Sequence, residues 1–125
     1  MPDLSLIQRF GSNATFDATA KTLTIKLNDL TDTGDIINNL GLDISGLTAS
    51  NIDSYASKIL YSLILLSFQK QQPTNNDETV SLYISNSGRR DVSRNGISQF
   101  SYAMQVNTYT PNTLPSTLDP DLLGV

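Results

Sequence analysis

Apolar positions along this chain follow two periods. Residues 51–72 keep the 3.6-residue period of a helix, with Ile52, Tyr55, Ala56, Ile59, Leu63 and Leu66 forming one stripe. Tyr61, Ile64, Leu65 and Phe68 form a second stripe, roughly opposite the first, over the C-terminal half of the segment. A helix on the surface of a domain needs only one such stripe. The second is expected to meet residues 4–10, the C-terminal tail or another subunit. Ser50 followed by Asp53 resembles a capping box that starts the helix near Asn51, and Pro73 ends it by disfavouring helical backbone in the preceding residue.

The other periodic segments repeat every two residues. Thr15-Phe16-Asp17-Ala18 reads as a short strand, and 21–27 alternates Leu23, Ile25 and Leu27 with Thr22, Thr24 and Lys26, so 14–30 is expected to form a hairpin turning at 18–20. Residues 79–85 place Val80, Leu82 and Ile84 opposite Ser81, Tyr83 and Ser85. Residues 97–109 place Phe100, Tyr102, Met104 and Val106 opposite Ser101, Ala103, Gln105 and Asn107. These two runs predict a second antiparallel hairpin with a long tip, 86–96. Gly34, Gly41, Gly46 and scattered aspartates mark 28–50 as loop, apart from one helical turn at 36–40.

The expected fold is α+β: an antiparallel sheet built from two hairpins, packed on one long central helix in ββαββ order. From Thr110 the periodicity stops. Pro111, Pro115 and Pro120 fix φ and remove ladder donors, while Leu114, Leu118, Leu122 and Leu123 keep the segment too apolar for a solvated tail. The expected organisation is one domain over 1–109 and an extended arm over 110–125.

Composition narrows the chemistry. The chain of 125 residues contains no Cys and no His, which removes thiol and imidazole nucleophiles, disulfides and the commonest zinc ligands. Ser, Thr and Asn make up nearly a third of it, while charged residues are 16%. Such a surface can be packed against a neighbour without desolvating many charges, the expensive part of forming an interface. The net charge of −4 opposes general attraction to nucleic acid or anionic membranes. Met1-Pro2-Asp3-Leu4 has neither the basic nor the apolar region of a secretory signal, and 59–68 is about half the ~20 residues needed to cross a bilayer. A soluble protein made in the cytoplasm is the expectation.

Three clusters are candidates for chemistry. Asp29, Asp32 and Asp35 lie in a glycine-containing loop, but their spacing does not match a calcium loop, and turn chemistry accounts for them more simply. Arg89, Arg90 and Arg94 gather at the expected hairpin tip, where guanidinium forks suit a phosphate or carboxylate partner. Tyr61, Ile64, Leu65 and Phe68, with the arm residues Leu114, Leu118, Leu122 and Leu123, form the candidate interface. No phosphate loop and no pair of carboxylates on a shared face points to catalysis. No cofactor, no metal and no enzymatic activity are expected.

The leading expectation is a structural or assembly subunit acting through protein–protein contacts, with itself or with neighbouring structural proteins. A phage virion (capsid decoration, neck or tail) is the setting this surface suits. A small apolar-ligand-binding module, and a nucleic-acid-associated protein using the arginine cluster, are the alternatives.

Overall fold

A computed structural model describes residues 3–31, 41–112 and 118–124. The fold is α+β, with one long helix and two antiparallel two-stranded sheets. In chain order the elements are α1 (Leu6–Phe10), β1 (Thr15–Asp17), β2 (Thr22–Thr24), a 3-10 turn (Leu27–Leu30), α2 (Ile52–Lys70), β3 (Leu82–Arg94), β4 (Ile97–Thr108) and a second 3-10 turn (Pro120–Leu122). The two hairpins form separate sheets among the described residues, where one sheet was expected. By packing, the chain divides into two compact units, Leu4–Gln71 and Met1–Asp3 with Gln72–Val125.

The first unit is organised around α2. Its small core joins Leu30, Leu42 and Leu66, with Leu27, Ile44, Ile59, Leu63 and Leu65 packed against them. Ile59, Leu63 and Leu66 belong to the first expected stripe, which therefore faces a core in its C-terminal half. Ile52 and Ala56, at the N-terminal end of that stripe, are exposed. Helix α2 packs against α1 and the first 3-10 turn, and among the described residues it makes no packing contact with β1 or β2. The hairpin expected to lie on the helix is instead exposed on both strands, its Phe16↔Leu23 pair included.

Local chemistry explains these departures. In α1 the Ser5 hydroxyl accepts the Gln8 N–H and the Gln8 side chain accepts the Ser5 N–H, so five residues hold a helical turn. The capping box expected at Ser50 and Asp53 does not start α2. Asn51 occupies the N-cap, and its side chain turns back on the preceding loop: its amide donates to the Gly46 carbonyl and its Oδ1 accepts the Thr48 N–H. The second strand ends at Thr24, where the alternation ran to Leu27, because Leu27 and Leu30 turn into the core within a 3-10 turn.

The second unit is dominated by the β3–β4 hairpin. Its register runs from Leu82↔Thr108 to Arg94↔Ile97, with one bulge between Asn86 and Gly88. At ~3.3 Å per residue the ladder is about 40 Å long. The expected long tip over 86–96 is therefore strand, and only Asn95 and Gly96 turn the chain. Both have positive φ (53° and 76°), the conformation a two-residue hairpin turn requires and Asn-Gly supplies at least cost. The helical turn expected at 36–40 lies outside the described residues.

Candidate functional site

The register divides the hairpin into two faces. One carries Leu82, Ile84, Asn86, Arg89 and Asp91 on β3 with Thr108, Val106, Met104, Tyr102 and Phe100 opposite them on β4. This is the face expected for Phe100, Tyr102, Met104 and Val106. On this face Ile84 is buried and Met104 half-buried, while Val106, Tyr102 and Phe100 are 48%, 58% and 60% exposed. Two aromatic rings thus stand in water on a two-stranded sheet whose outer edges pair with no further strand among the described residues.

The arginines lie on this distal half. The Arg89 guanidinium sits over the Phe100 ring, 4.3 Å from its centre, a cation–π contact that also holds the side chain flat on the aromatic face. Arg90 and Arg94 fall on the opposite face, and Arg94 Nε donates to Gln99 Oε1 at 2.6 Å. Asp91 is the only acidic residue among them. The three arginines are exposed, and strand spacing rather than a flexible loop fixes their separation.

The base carries the opposite sign. Asp3, Asp77, Glu78, Asp119 and Asp121 all lie beside the ends of β3 and β4, where this unit has no basic residue. The Asp3 carboxylate accepts from the Ser81 N–H and hydroxyl. Asp77 accepts the Thr79 N–H and hydroxyl, and Asp119 caps the second 3-10 turn by accepting the Asp121 N–H. The tail is tied to this end: Tyr109 N–H donates to the Ser81 carbonyl, and Gly124 N–H to the Tyr109 carbonyl. Gly124 has φ near 70°, and a Cβ there would come within 2.9 Å of the Ser81 Cβ, so this approach requires glycine. Two open cavities border the base, of about 310 and 410 Å³. Their walls mix threonine, serine and carboxylate groups with Leu118, Leu123 and Val80.

The remaining interface candidates divide by exposure. Tyr61 is 44% exposed, whereas Ile64 and Phe68 are half-buried. Leu65 packs against the core of the first unit, so part of the second stripe is covered within the chain. Leu60, on neither expected stripe, is 61% exposed. In the arm, Leu118 is fully exposed, Leu122 and Leu123 are half-buried, and Leu114 lies outside the described residues. The arm is not extended throughout, since Pro120–Leu122 forms a 3-10 turn.

Asp29 bonds outside its own turn: its two carboxylate oxygens accept from the backbone N–H (2.9 Å) and side-chain amide (2.7 Å) of Asn13, in the loop before β1. Asp32 and Asp35 lie outside the described residues, among which no cluster of three potential metal ligands occurs. No helix there is long and apolar enough to cross a membrane.

What the sequence reading missed is the exposed pair Phe100 and Tyr102, read as one side of an ordinary packed strand. The signal was Asn95-Gly96, which closes a hairpin too long for its apolar residues to be covered to the tip. Comparison with protein-family models, with curated proteins and with solved structures finds no match.

Proposed function

We propose that this chain is a non-enzymatic structural or assembly subunit that works through protein–protein contacts, with a phage virion (capsid decoration, neck or tail) as its setting. The observation that carries the reading is the imbalance between core and surface. Among the described residues only Ala14, Leu30, Leu42, Leu66 and Ile84 are buried apolar side chains, while Leu60, Ile97, Phe100, Tyr102 and Leu118 are more than half exposed. Covering a side chain of that size is worth ~1.5–3 kcal/mol, so a partner that buries several gains as much as a small domain's whole stability. Exposed apolar side chains that share a face, as Phe100 and Tyr102 do on the long hairpin, are characteristic of interaction sites. The low-charge surface, rich in Ser, Thr and Asn, adds little desolvation cost. In this reading Leu118 is the point from which the 110–125 arm reaches a neighbour, while Leu122 and Leu123 stay at the hairpin base.

The test is light-scattering mass on a sizing column for wild type, Leu60→Asp with Tyr61→Asp, and Leu118→Asp, each checked for folding by circular dichroism. An oligomer that loses subunits in either folded variant supports the reading. A monomeric wild type at high concentration sinks homo-assembly.

One observation favours a second reading. Arg89 stacked on Phe100, beside exposed Tyr102, combines cation and aromatic as single-stranded nucleic-acid sites do. Binding of an oligonucleotide that weakens steeply with salt would support it.

A further inference from the structure

We infer that β4 is an edge that pairs with itself: a second copy of this chain lays its own β4 alongside, antiparallel, to make a four-stranded sheet in the order β3-β4-β4-β3. This rests on the assembly reading and names its surface and its partner.

The two edges of the long hairpin differ. An exposed edge invites another strand, and charges and bulges are what discourage it. β3 has both, with Arg89, Arg90, Asp91 and Arg94 along its distal half and a bulge between Asn86 and Gly88. Its proximal end is also covered, Ile84 being buried and Leu82, Tyr83 and Ser85 half-buried. β4 has neither defence. Its 12 residues include no charge, no proline and no bulge, and none of them is buried.

Backbone geometry decides which groups that edge presents. A two-residue turn makes Arg94↔Ile97 a hydrogen-bonded pair, and such pairs alternate with non-bonded ones along an antiparallel ladder. Odd positions of β4 therefore bond inward to β3, as the Tyr109 N–H does to the Ser81 carbonyl just beyond the strand. Even positions turn their N–H and C=O outward. These are Ser98, Phe100, Tyr102, Met104 and Val106, so the outward amides belong to the residues of the aromatic face.

A second copy answers this edge position for position. With the two-fold axis beside Ala103, Phe100 of each copy lies opposite Val106 of the other, and Tyr102 opposite Met104. Exposed rings then flank aliphatic side chains, and each favourable cross-strand pair is made twice. Charge permits the arrangement: β4 carries none, and antiparallel alignment sends the two arginine clusters to opposite ends of the sheet. The pairing also closes on itself, because both outer strands are then β3, bulged and charged, and no further copy adds. About ten paired residues span roughly 33 Å, and an edge about 10 Å thick gives a footprint near 330 Å², below that of a standard stable interface. The expected dimer is weak, and visible as a mass that rises with concentration.

Sedimentation equilibrium and amide exchange of the full chain at rising concentration test this. Mass should climb toward that of a dimer while the Phe100, Tyr102 and Met104 amides become at least tenfold slower to exchange. Ala103→Lys and Ala103→Glu change the residue at the axis, on the face opposite the aromatic rings. Each alone should associate at least tenfold more weakly, because like charges then face each other, and an equimolar mixture should regain the loss. An oligomer in which those three amides stay fast and both variants associate normally overturns the edge mode, and leaves the assembly reading on the helix and arm surfaces. The same amides already slow in a monomer would show that the chain covers its own edge, which also overturns the inference. A chain monomeric at every concentration with those amides fast overturns the second copy as partner, and leaves assembly only with a different protein.

Discussion

The two hairpins of this molecule differ fourfold in strand length, and the hydrophobic pattern misjudges both in opposite directions. In the first, alternation runs from Thr22 to Leu27, yet β2 stops at Thr24. In the second, apolar alternation on β3 lapses after Ile84, yet the strand continues to Arg94. What decides strand length is whether a partner backbone is available. The first hairpin turns through 18–21, where Asp17 Oδ1 accepts the N–H groups of Thr19 and Ala20, and its first strand extends back only to Thr15. Beyond Thr24 the second strand has nothing to pair with, and burying Leu27 and Leu30 is the better use of the chain. The second hairpin closes through Asn95-Gly96, whose left-handed residues match the twist of the flanking strands, and β4 continues opposite β3 to its end. Its polar residues pair as well as its apolar ones because the ladder needs only backbone groups.

The largest effect should come from the residue that cuts the first hairpin short. Leu30 is the most completely buried side chain described. Leu30→Ala removes it from the junction with Leu42 and Leu66, and is expected to cost about 3 kcal/mol in urea unfolding. A much smaller loss would mean that the 3-10 turn is fixed by its backbone alone. By contrast, Phe100→Ser on the exposed face of the long hairpin should change stability by under ~0.5 kcal/mol in the same assay.

The turn of the long hairpin comes next. Gly96→Ala places a Cβ in left-handed backbone where no neighbouring atom lies within 4 Å, so the cost is purely conformational, about 1–2 kcal/mol. Amide exchange should report it as faster exchange across the Arg94↔Ile97 end of the ladder than near Leu82↔Thr108. Uniform loss along the ladder would show that β3 and β4 are held from the tip rather than from the base. Gly124→Ala adds a close approach to Ser81 and should loosen the tail from Tyr109, read as faster exchange of the Gly124-position amide with the ladder unchanged.

The sequence made the elements legible and their partners much less so. The main helix, the two antiparallel hairpins and the register faces of β4 follow from residue periodicity, which is a local property. The core did not follow, because Leu30 and Leu42 come from a segment with no period at all and meet Leu66 only through tertiary packing. On the second stripe of α2, Tyr61 is exposed, while Leu65 neighbours Leu66 closely enough to reach the same core. For the candidate site, the arginine cluster was visible and its placement was not. Asn95-Gly96 was the deciding signal, since a loop tip and a rigid ladder present the same three guanidinium groups very differently.

The smallest expected effect concerns a turn built like that of the first hairpin. Asp43 accepts the Ser45 N–H at 2.9 Å just before α2, as Asp17 does for Thr19. This backbone hydrogen bond is the main reason the Asp43 carboxyl is held below its ordinary value of 3.8, with the Ser45 hydroxyl and, more weakly, Lys58 acting the same way. A carboxylate whose folded pKa is depressed contributes stability that is fully present above its unfolded value and is lost as pH falls through its folded value. Asp43→Asn keeps a side-chain acceptor but removes the charge. Its deficit in melting temperature should therefore be constant from pH 7 down to about 5 and shrink below about 4. Because the carboxylate is fully exposed, the deficit should also shrink at high salt. A deficit that is the same at pH 3 and pH 7 would show that the turn depends on its acceptor geometry rather than its charge, and would place it with the uncharged Asn95-Gly96 turn.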